Sequence, residues 1–312
     1  MIRDPVECSL GDPCGLGPEV LARALVAGPL AAPVRVHAHG DLLLDIARRI
    51  SPALGDALAS GQGSAWWAEA PGSAPGGLPV AGAWDPAWGA YALRSLEAAA
   101  DAALARGRPL VTGPLSKRSF LEGGAGPVGH TEHLARRAGV DEEEVLMLFD
   151  AGPLRIASLT RHVPLAEVTS RVSVALVRRA VSLVGSYLRG RGVDAPRMAL
   201  ACLDPHCGEW GGLAGTDLEL RAALQGLEVQ GPLAADTLFL PANLQRFDAI
   251  LCWYHDQAMI PVKLLAFDTA VNVTLGLPVL RVSPAHGPGY DVAWTGVAAT
   301  GSMRRALEIA CG

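Results

Sequence analysis

The sequence predicts an α/β protein built on a largely parallel sheet, on three observations. Short apolar runs containing β-branched residues alternate with longer Ala/Leu-rich stretches of helical periodicity. One run after another passes straight into a polar segment punctuated by glycine or proline, as strands do whose carboxyl ends face a ligand. Of the 312 residues 50% are hydrophobic and only 18% charged, which suits a sizeable core and excludes a disordered chain. A chain of this length is expected to form about two domains, or one large α/β unit.

Taken in order, residues 6–10, 34–38, 109–112, 197–203 and 248–254 read as strands. Residues 146–149 and 154–160 read as two more, joined by the tight turn Asp150-Ala-Gly-Pro153. Helices are clearest at 90–106 and at 173–188, where apolar residues recur at three- and four-residue steps, and another opens at Pro18 and Glu19. Residues 51–88 differ. Rich in Gly, Ala, Pro and Ser, they hold Trp66, Trp67, Trp84 and Trp88 without sustained periodicity, and read as a surface excursion whose tryptophans seal a loop onto the body.

The formal charge is −5 and no long run of like charge occurs, so the basic footprint of a nucleic-acid binder is missing and a small-molecule partner is expected. No apolar stretch approaches the roughly eighteen residues that cross a bilayer. The first residues carry Asp4, Glu7 and Asp12, unlike a signal peptide, and a cytoplasmic address is expected. Six cysteines are scattered without a Cys-x-x-Cys pair, which reads as reduced thiols.

The chemistry lies at the strand ends. Strand 6–10 meets Gly11-Asp-Pro-Cys-Gly-Leu-Gly-Pro-Glu19, and strand 109–112 meets Gly113-Pro-Leu-Ser-Lys117. Strand 154–160 meets Arg161-His162, strand 197–203 meets Asp204-Pro-His206, and strand 248–254 meets His255-Asp-Gln257. His162, His206 and His255 therefore sit at equivalent ends of three strands. Three imidazoles with an open position make a catalytic site for zinc or a similar divalent ion, with Asp204 and Asp256 as orienting partners or further ligands. His130 and His133, one helical turn apart, are the competing metal pair. His37 lies outside both sets, and His37→Ala is expected to do little to metal content or activity. No phosphate-binding P-loop occurs, and Gly124-Ala-Gly126-Pro-Val-Gly129 follows a glycine-rich loop instead of a strand, so it reads as chance. Lys263 and Arg281, with Asn272 between them, suit a phosphate or a carboxylate, a solvated surface charge being the alternative for each.

These motifs, together with Thr112-Gly-Pro-Leu-Ser-Lys117, Gly129-His-Thr-Glu132, His162-Val-Pro-Leu165, Asp204-Pro-His-Cys-Gly-Glu209, Ala235-Asp-Thr237, Tyr254-His-Asp-Gln257, Val271-Asn-Val-Thr-Leu-Gly-Leu-Pro278 and Ser283-Pro-Ala-His-Gly287, resemble in their order the 4-hydroxythreonine-4-phosphate dehydrogenase family of pyridoxal phosphate biosynthesis. The resemblance spans nearly the whole chain. It implies an isocitrate/isopropylmalate-dehydrogenase-like α/β fold of two domains with a cleft between them, 1–128 with 275–312 and 129–274. It implies a homodimer with shared active sites, with the metal site and the dimer contacts on the second domain. The implied reaction is the NAD-dependent (or NADP-dependent), divalent-metal-dependent oxidation of 4-phosphohydroxy-L-threonine to 2-amino-3-oxo-4-phosphooxybutanoate, which decarboxylates to 3-amino-2-oxopropyl phosphate. Carried over by position, His162, His206 and His255 would bind one metal ion (Zn, alternatively Mg, Co or Mn). His130, Thr131, Lys263, Asn272 and Arg281 would bind the phosphorylated substrate. Gly11, Asp12, Thr112, Gly113, His286 and Gly287 would face the cofactor, and Asp236 or Asp256 would be the base. The chain departs from the family pattern at Cys14, Asp204 and Cys207 and at Gly287-Pro-Gly289, the last near the expected cofactor side. A dehydrogenase of D-erythronate or D-threonate 4-phosphate and a non-catalytic metal- or metabolite-binding homologue are the alternatives.

Overall fold

The computed structural model describes residues 4–211 and 216–312. In chain order it runs β1 (Val6–Ser9), α1 (Gly17–Val26), β2 (Val34–His37), α2 (Gly40–Ile50), α3 (Pro52–Ala59), β3 (Trp66–Ala68), α4 (Pro86–Arg106), β4 (Leu110–Thr112), α5 (Lys117–Glu122) and α6 (His130–Arg137). There follow β5 (Leu146–Ala151), β6 (Leu154–Ser158), α7 (Leu165–Arg171), α8 (Val174–Gly190), β7 (Met198–Ala201), a 3-10 segment at Pro205–Gly211, α9 (Thr216–Ala223), β8 (Gln230–Leu233), α10 (Ala235–Leu238), α11 (Pro241–Leu244), β9 (Ala249–Cys252), α12 (His255–Ala266) and β10 (Val271–Leu275). The chain closes with β11 (Arg281–Pro284) and α13 (Gly301–Cys311). No helix among the described residues is long and apolar enough to cross a membrane.

The chain divides into two units, Met1–Glu142 with Leu277–Gly312 and Glu143–Gly276. In the first unit the strands lie in the order β3-β2-β1-β4-β11, every pair parallel. In the second the order is β10-β5-β6-β9-β7-β8, with β6, β9, β7 and β8 parallel and β5 antiparallel to both β6 and β10. The hairpin expected around Asp150-Ala-Gly-Pro153 is the β5–β6 pair. Residues 129–142 cluster with the first unit and not with the second, as the 128/129 boundary had it. The reason is local packing: Leu134 of α6 is buried in one apolar cluster with Phe120, Leu96 and Leu110.

Local chemistry accounts for the long helices. Asp85 caps α4, its Oδ1 accepting from the Ala87 and Trp88 amides at 2.8 and 3.0 Å, with Pro86 in the first turn. Gly107, left-handed at φ 61°, ends it. Ser173 caps α8 in the same way through the Leu176 amide at 3.2 Å. One expectation needs correction. Residues 51–88 are not simply loop: they contain α3 and the edge strand β3, whose Trp67 lies under the Arg35 guanidinium at 5.5 Å. Ser64 still pins that region to the body, its hydroxyl donating to the Gly28 carbonyl at 2.7 Å, while Trp66 Nε1 donates to the Leu58 carbonyl of α3 at 3.2 Å. His37 Nε2 lies 2.8 Å from the fully buried Glu7 carboxylate, which Arg35 and Arg106 also approach at 3.6 and 3.8 Å.

Candidate active site

In the first unit the loops that follow β1 and β4 lie back to back. A Cβ on Gly11 (φ 80°) would meet the Pro114 carbonyl at 2.8 Å, and one on Gly113 would meet the Gly11 amide nitrogen at 2.5 Å, so neither position admits a side chain. Thr112 ends β4. Arg281 opens β11 at 2% exposure, and its Nε and Nη2 donate to Thr112 Oγ1 at 3.2 and 2.6 Å. Burial pushes the guanidinium down to about 10, with Glu132 acting in the opposite direction. A cation withdrawn from water in this way gains from any anion that enters its reach.

Helix α6 opens on His130 and the buried Thr131. Burial first, and then the charge of Arg281, push His130 down to about 3, against a hydrogen bond with the Gly113 backbone and with a further push from His133. His130 is therefore neutral at physiological pH, and its Nε2 is buried with no hydrogen-bond partner. The fully buried Phe120 meets the His130 and His133 rings edge-on at 5.2 and 5.3 Å. His133 instead turns to Glu97, its Nε2 3.2 Å from Oε1. The two histidines thus have different polar partners.

The depressed His130 has a measurable consequence. An unfolded chain takes up a proton as pH falls through the ordinary 6.5 while the folded chain resists until about 3, so this group's contribution to stability is present above 6.5 and is lost as pH falls toward 3. Urea unfolding of the wild type should show that loss between pH 7 and 4, and His130→Asn should flatten it. An unchanged slope in the variant refutes the assignment.

Asp12 is buried in the loop after β1, its Oδ1 accepting from the Cys14 amide at 2.9 Å and its Oδ2 from the Tyr290 hydroxyl at 2.6 Å. Burial raises its pKa, while the Tyr290 hydrogen bond and the Cys14 and Gly15 amides lower it. The Leu16 amide donates to the Pro288 carbonyl at 2.8 Å, so the 11–17 and 286–290 loops are stitched together. His286 is half-buried there, with Nδ1 3.1 Å from the Gly287 carbonyl. Tyr290 was not anticipated, because nothing in the sequence links positions 278 residues apart.

In the second unit, the chain leaving β6 reaches His162 in the left-handed region at φ 35°, and His255 opens α12 just after β9. Because β6 and β9 are parallel neighbours, the two rings meet, centroids 5.6 Å apart. His255 Nδ1 lies 2.7 Å from Asp256 Oδ1. A cavity of about 270 Å³ is lined here by His162, Val163, Leu165, Tyr254, His255 and Asp256. His206 lies on the 3-10 segment after β7, at φ 52°. Among the described residues no group of three or more His, Cys, Asp or Glu side chains is drawn together closely enough to hold a metal. Lys263 is half-buried on α12 with Nζ 4.9 Å from the Phe267 ring centre, and burial lowers its pKa. Asn272 Oδ1 on β10 is buried without a hydrogen-bond partner, Asp204 Oδ2 likewise, and Asp236 is exposed at the start of α10.

The family model of the pyridoxal phosphate biosynthetic protein PdxA matches residues 58–310. The 4-hydroxythreonine-4-phosphate dehydrogenase of Ralstonia nicotianae is 37% identical over 337 aligned positions, covering 98% of this chain and 96% of the relative. Among solved structures, the 4-hydroxythreonine-4-phosphate dehydrogenase of Klebsiella pneumoniae is similar with a TM-score of 0.81 at 31% identity, covering 99% of this chain and 98% of that one. A terephthalate 1,2-cis-dihydrodiol dehydrogenase of Burkholderia xenovorans reaches a TM-score of 0.67 at 26% identity, covering 98% and 97%.

Proposed function

Because the chain belongs to the PdxA family of pyridoxal phosphate biosynthetic proteins, we propose that it oxidises 4-phosphohydroxy-L-threonine to 2-amino-3-oxo-4-phosphooxybutanoate, which loses CO₂ to give 3-amino-2-oxopropyl phosphate. The observation that carries this reading is the buried Arg281 beside a neutral His130 with an unpaired ring nitrogen. A phosphate dianion is the ligand that repays such a site. It accepts the guanidinium fork in two hydrogen bonds, and its charge favours a proton on the unpartnered His130 Nε2, which then donates to it. Thr131, Lys263 and Asn272 are the remaining substrate contacts in this reading, Asn272 contributing an amide with unused hydrogen-bonding capacity.

The paired His162 and His255 supply two imidazoles of the kind a divalent ion takes. His255 engages a carboxylate through Nδ1, the arrangement that orients a metal-binding imidazole through its other nitrogen, and His162 stands beside it. His162, His206 and His255 would hold the ion, zinc or alternatively magnesium, cobalt or manganese, which when bound polarises the hydroxyl under oxidation. Gly11, Asp12, Thr112, Gly113, His286 and Gly287 would face a nicotinamide cofactor, NAD or NADP, whose chemistry would be to accept the hydride. Glycine at 11 and 113 lets these two loops pack directly on each other, which fixes the backbone on the proposed cofactor side. With Asp256 committed to His255, Asp236 is the base that takes the hydroxyl proton.

The chain works as a homodimer in this reading, with a second copy covering α12. Ile260, Leu264 and Phe267 recur along one side of that helix at 67%, 81% and 65% exposure, an apolar face out of keeping with an isolated chain. The helix begins at His255, so a partner docked there adjoins the metal site. Leu264→Asp should shift sedimentation from dimer to monomer; a monomeric wild type with full activity sinks this part.

The deciding experiment is a turnover panel: 4-phosphohydroxy-L-threonine against D-erythronate and D-threonate 4-phosphates, with NAD or NADP and each of the four metals. Preference for the amino substrate supports the reading. Preference for a hydroxy acid phosphate reassigns the substrate, and metal binding without any cofactor reduction makes the chain a non-catalytic homologue.

A further inference from the structure

Asp217, on α9, is a buried carboxylate at 1% exposure that no part of the proposed chemistry uses. Both its oxygens turn back onto the end of β7. Leu203 donates its amide to Oδ1 at 3.0 Å and to Oδ2 at 3.1 Å, and Asp204 donates its amide to Oδ2 at 2.8 Å. Immediately beyond, the chain does something unfavourable for ordinary residues: His206 and Cys207 both adopt left-handed conformations, at φ 52° and 55°. Two consecutive side-chain-bearing residues hold such a conformation only where their surroundings over-determine it. The turn is pinned at its exit as well, through the Cys207 amide to the Asp204 carbonyl at 3.2 Å and Cys207 Sγ to the Pro232 carbonyl at 3.6 Å. Arg221, one helical turn along α9 from Asp217, reaches the same Pro232 carbonyl at 3.3 Å.

We propose that Asp217 is a positioning residue for His206: by taking both amides at the entry to the turn, it fixes the strained backbone from which that imidazole is presented. The inference rests on the reading of His206 as a metal ligand. A carboxylate is suited to the task because it accepts from two adjacent amides at once, whereas an asparagine at this position would set an NH₂ group against one of them. The side chain therefore acts on the metal through the backbone, without touching it.

The test is zinc affinity of the metal-stripped full-length protein, measured by competition with a chelator, with the melting temperature and far-ultraviolet circular dichroism recorded for each variant. Asp217→Asn and Asp217→Ala should each weaken zinc binding by about 10- to 100-fold, as loss of a residue that orients a ligand does. His206→Ala should lose at least as much. In the His206→Ala background, Asp217→Asn should cost nothing further, because the residue it positions is gone. A merely structural role for Asp217 would lower the melting temperature and leave the zinc affinity of the folded protein unchanged. That outcome, alongside a His206→Ala variant that has lost zinc, overturns the inference and leaves the metal reading standing. Undiminished zinc binding by His206→Ala overturns both.

Discussion

Arg281→Ala is expected to lower kcat/KM for the phosphorylated substrate by roughly 30- to 1,000-fold, about 2 to 4 kcal/mol of transition-state stabilisation. The size of the effect follows from burial. At 2% exposure solvent screens the guanidinium little, so its removal takes away a strong charge-assisted contact to a bound dianion. Arg281→Lys should fall between, since an ammonium keeps the charge and loses the planar fork that Thr112 helps to orient. Lys263→Ala should cost less than Arg281→Ala because Lys263 is only half-buried and solvent screens it. The diagnostic comparison uses an unphosphorylated analogue, on which the Arg281 variants should lose little. Equal losses on both substrates would move Arg281 from phosphate recognition to folding or chemistry, and the melting temperature of each variant separates those two.

His162→Ala and His255→Ala should each reduce bound metal to a trace and depress turnover by more than about 100-fold, beyond the loss typical of an outer, orienting residue. Asp256→Asn should show a smaller version of the same defect, since it removes the carboxylate that holds the His255 ring through Nδ1 at 2.7 Å. Metal content measured by elemental analysis is the check. Full metal content and full activity in either histidine variant would refute the assignment of the pair.

Much of the fold was legible because its signals are local. Strand runs such as 6–10 and 248–254 differ from β1 and β9 only at their ends, and the helix predicted at 90–106 begins a little earlier because Asp85 and Pro86 cap it. The edge strand β3, β8 with its Gly-Pro pair, and the α6 segment behaved otherwise. A three-residue edge strand or Gln230–Leu233 has too few residues to show a period, and its pairing is decided by the strand beside it.

The candidate site divides along the same line. The sequence by itself determined that histidines end three strands and that glycines flank β1 and β4, since strand, turn and polar residue adjoin in the chain. Only the tertiary structure decided which of them meet. Parallel pairing of β6 with β9 brings His162 to His255. Pairing of β4 with β11 carries Arg281 to Thr112, 169 residues away. The fold also joins Asp12 to Tyr290 and Asp217 to the His206 turn. It separates His130 from His133 by giving them different partners, although a helix of that spacing sets them on one face. Chain proximity encodes the kind of group present, whereas burial and hydrogen-bond partners, which set its charge and orientation, arise from residues far away in sequence.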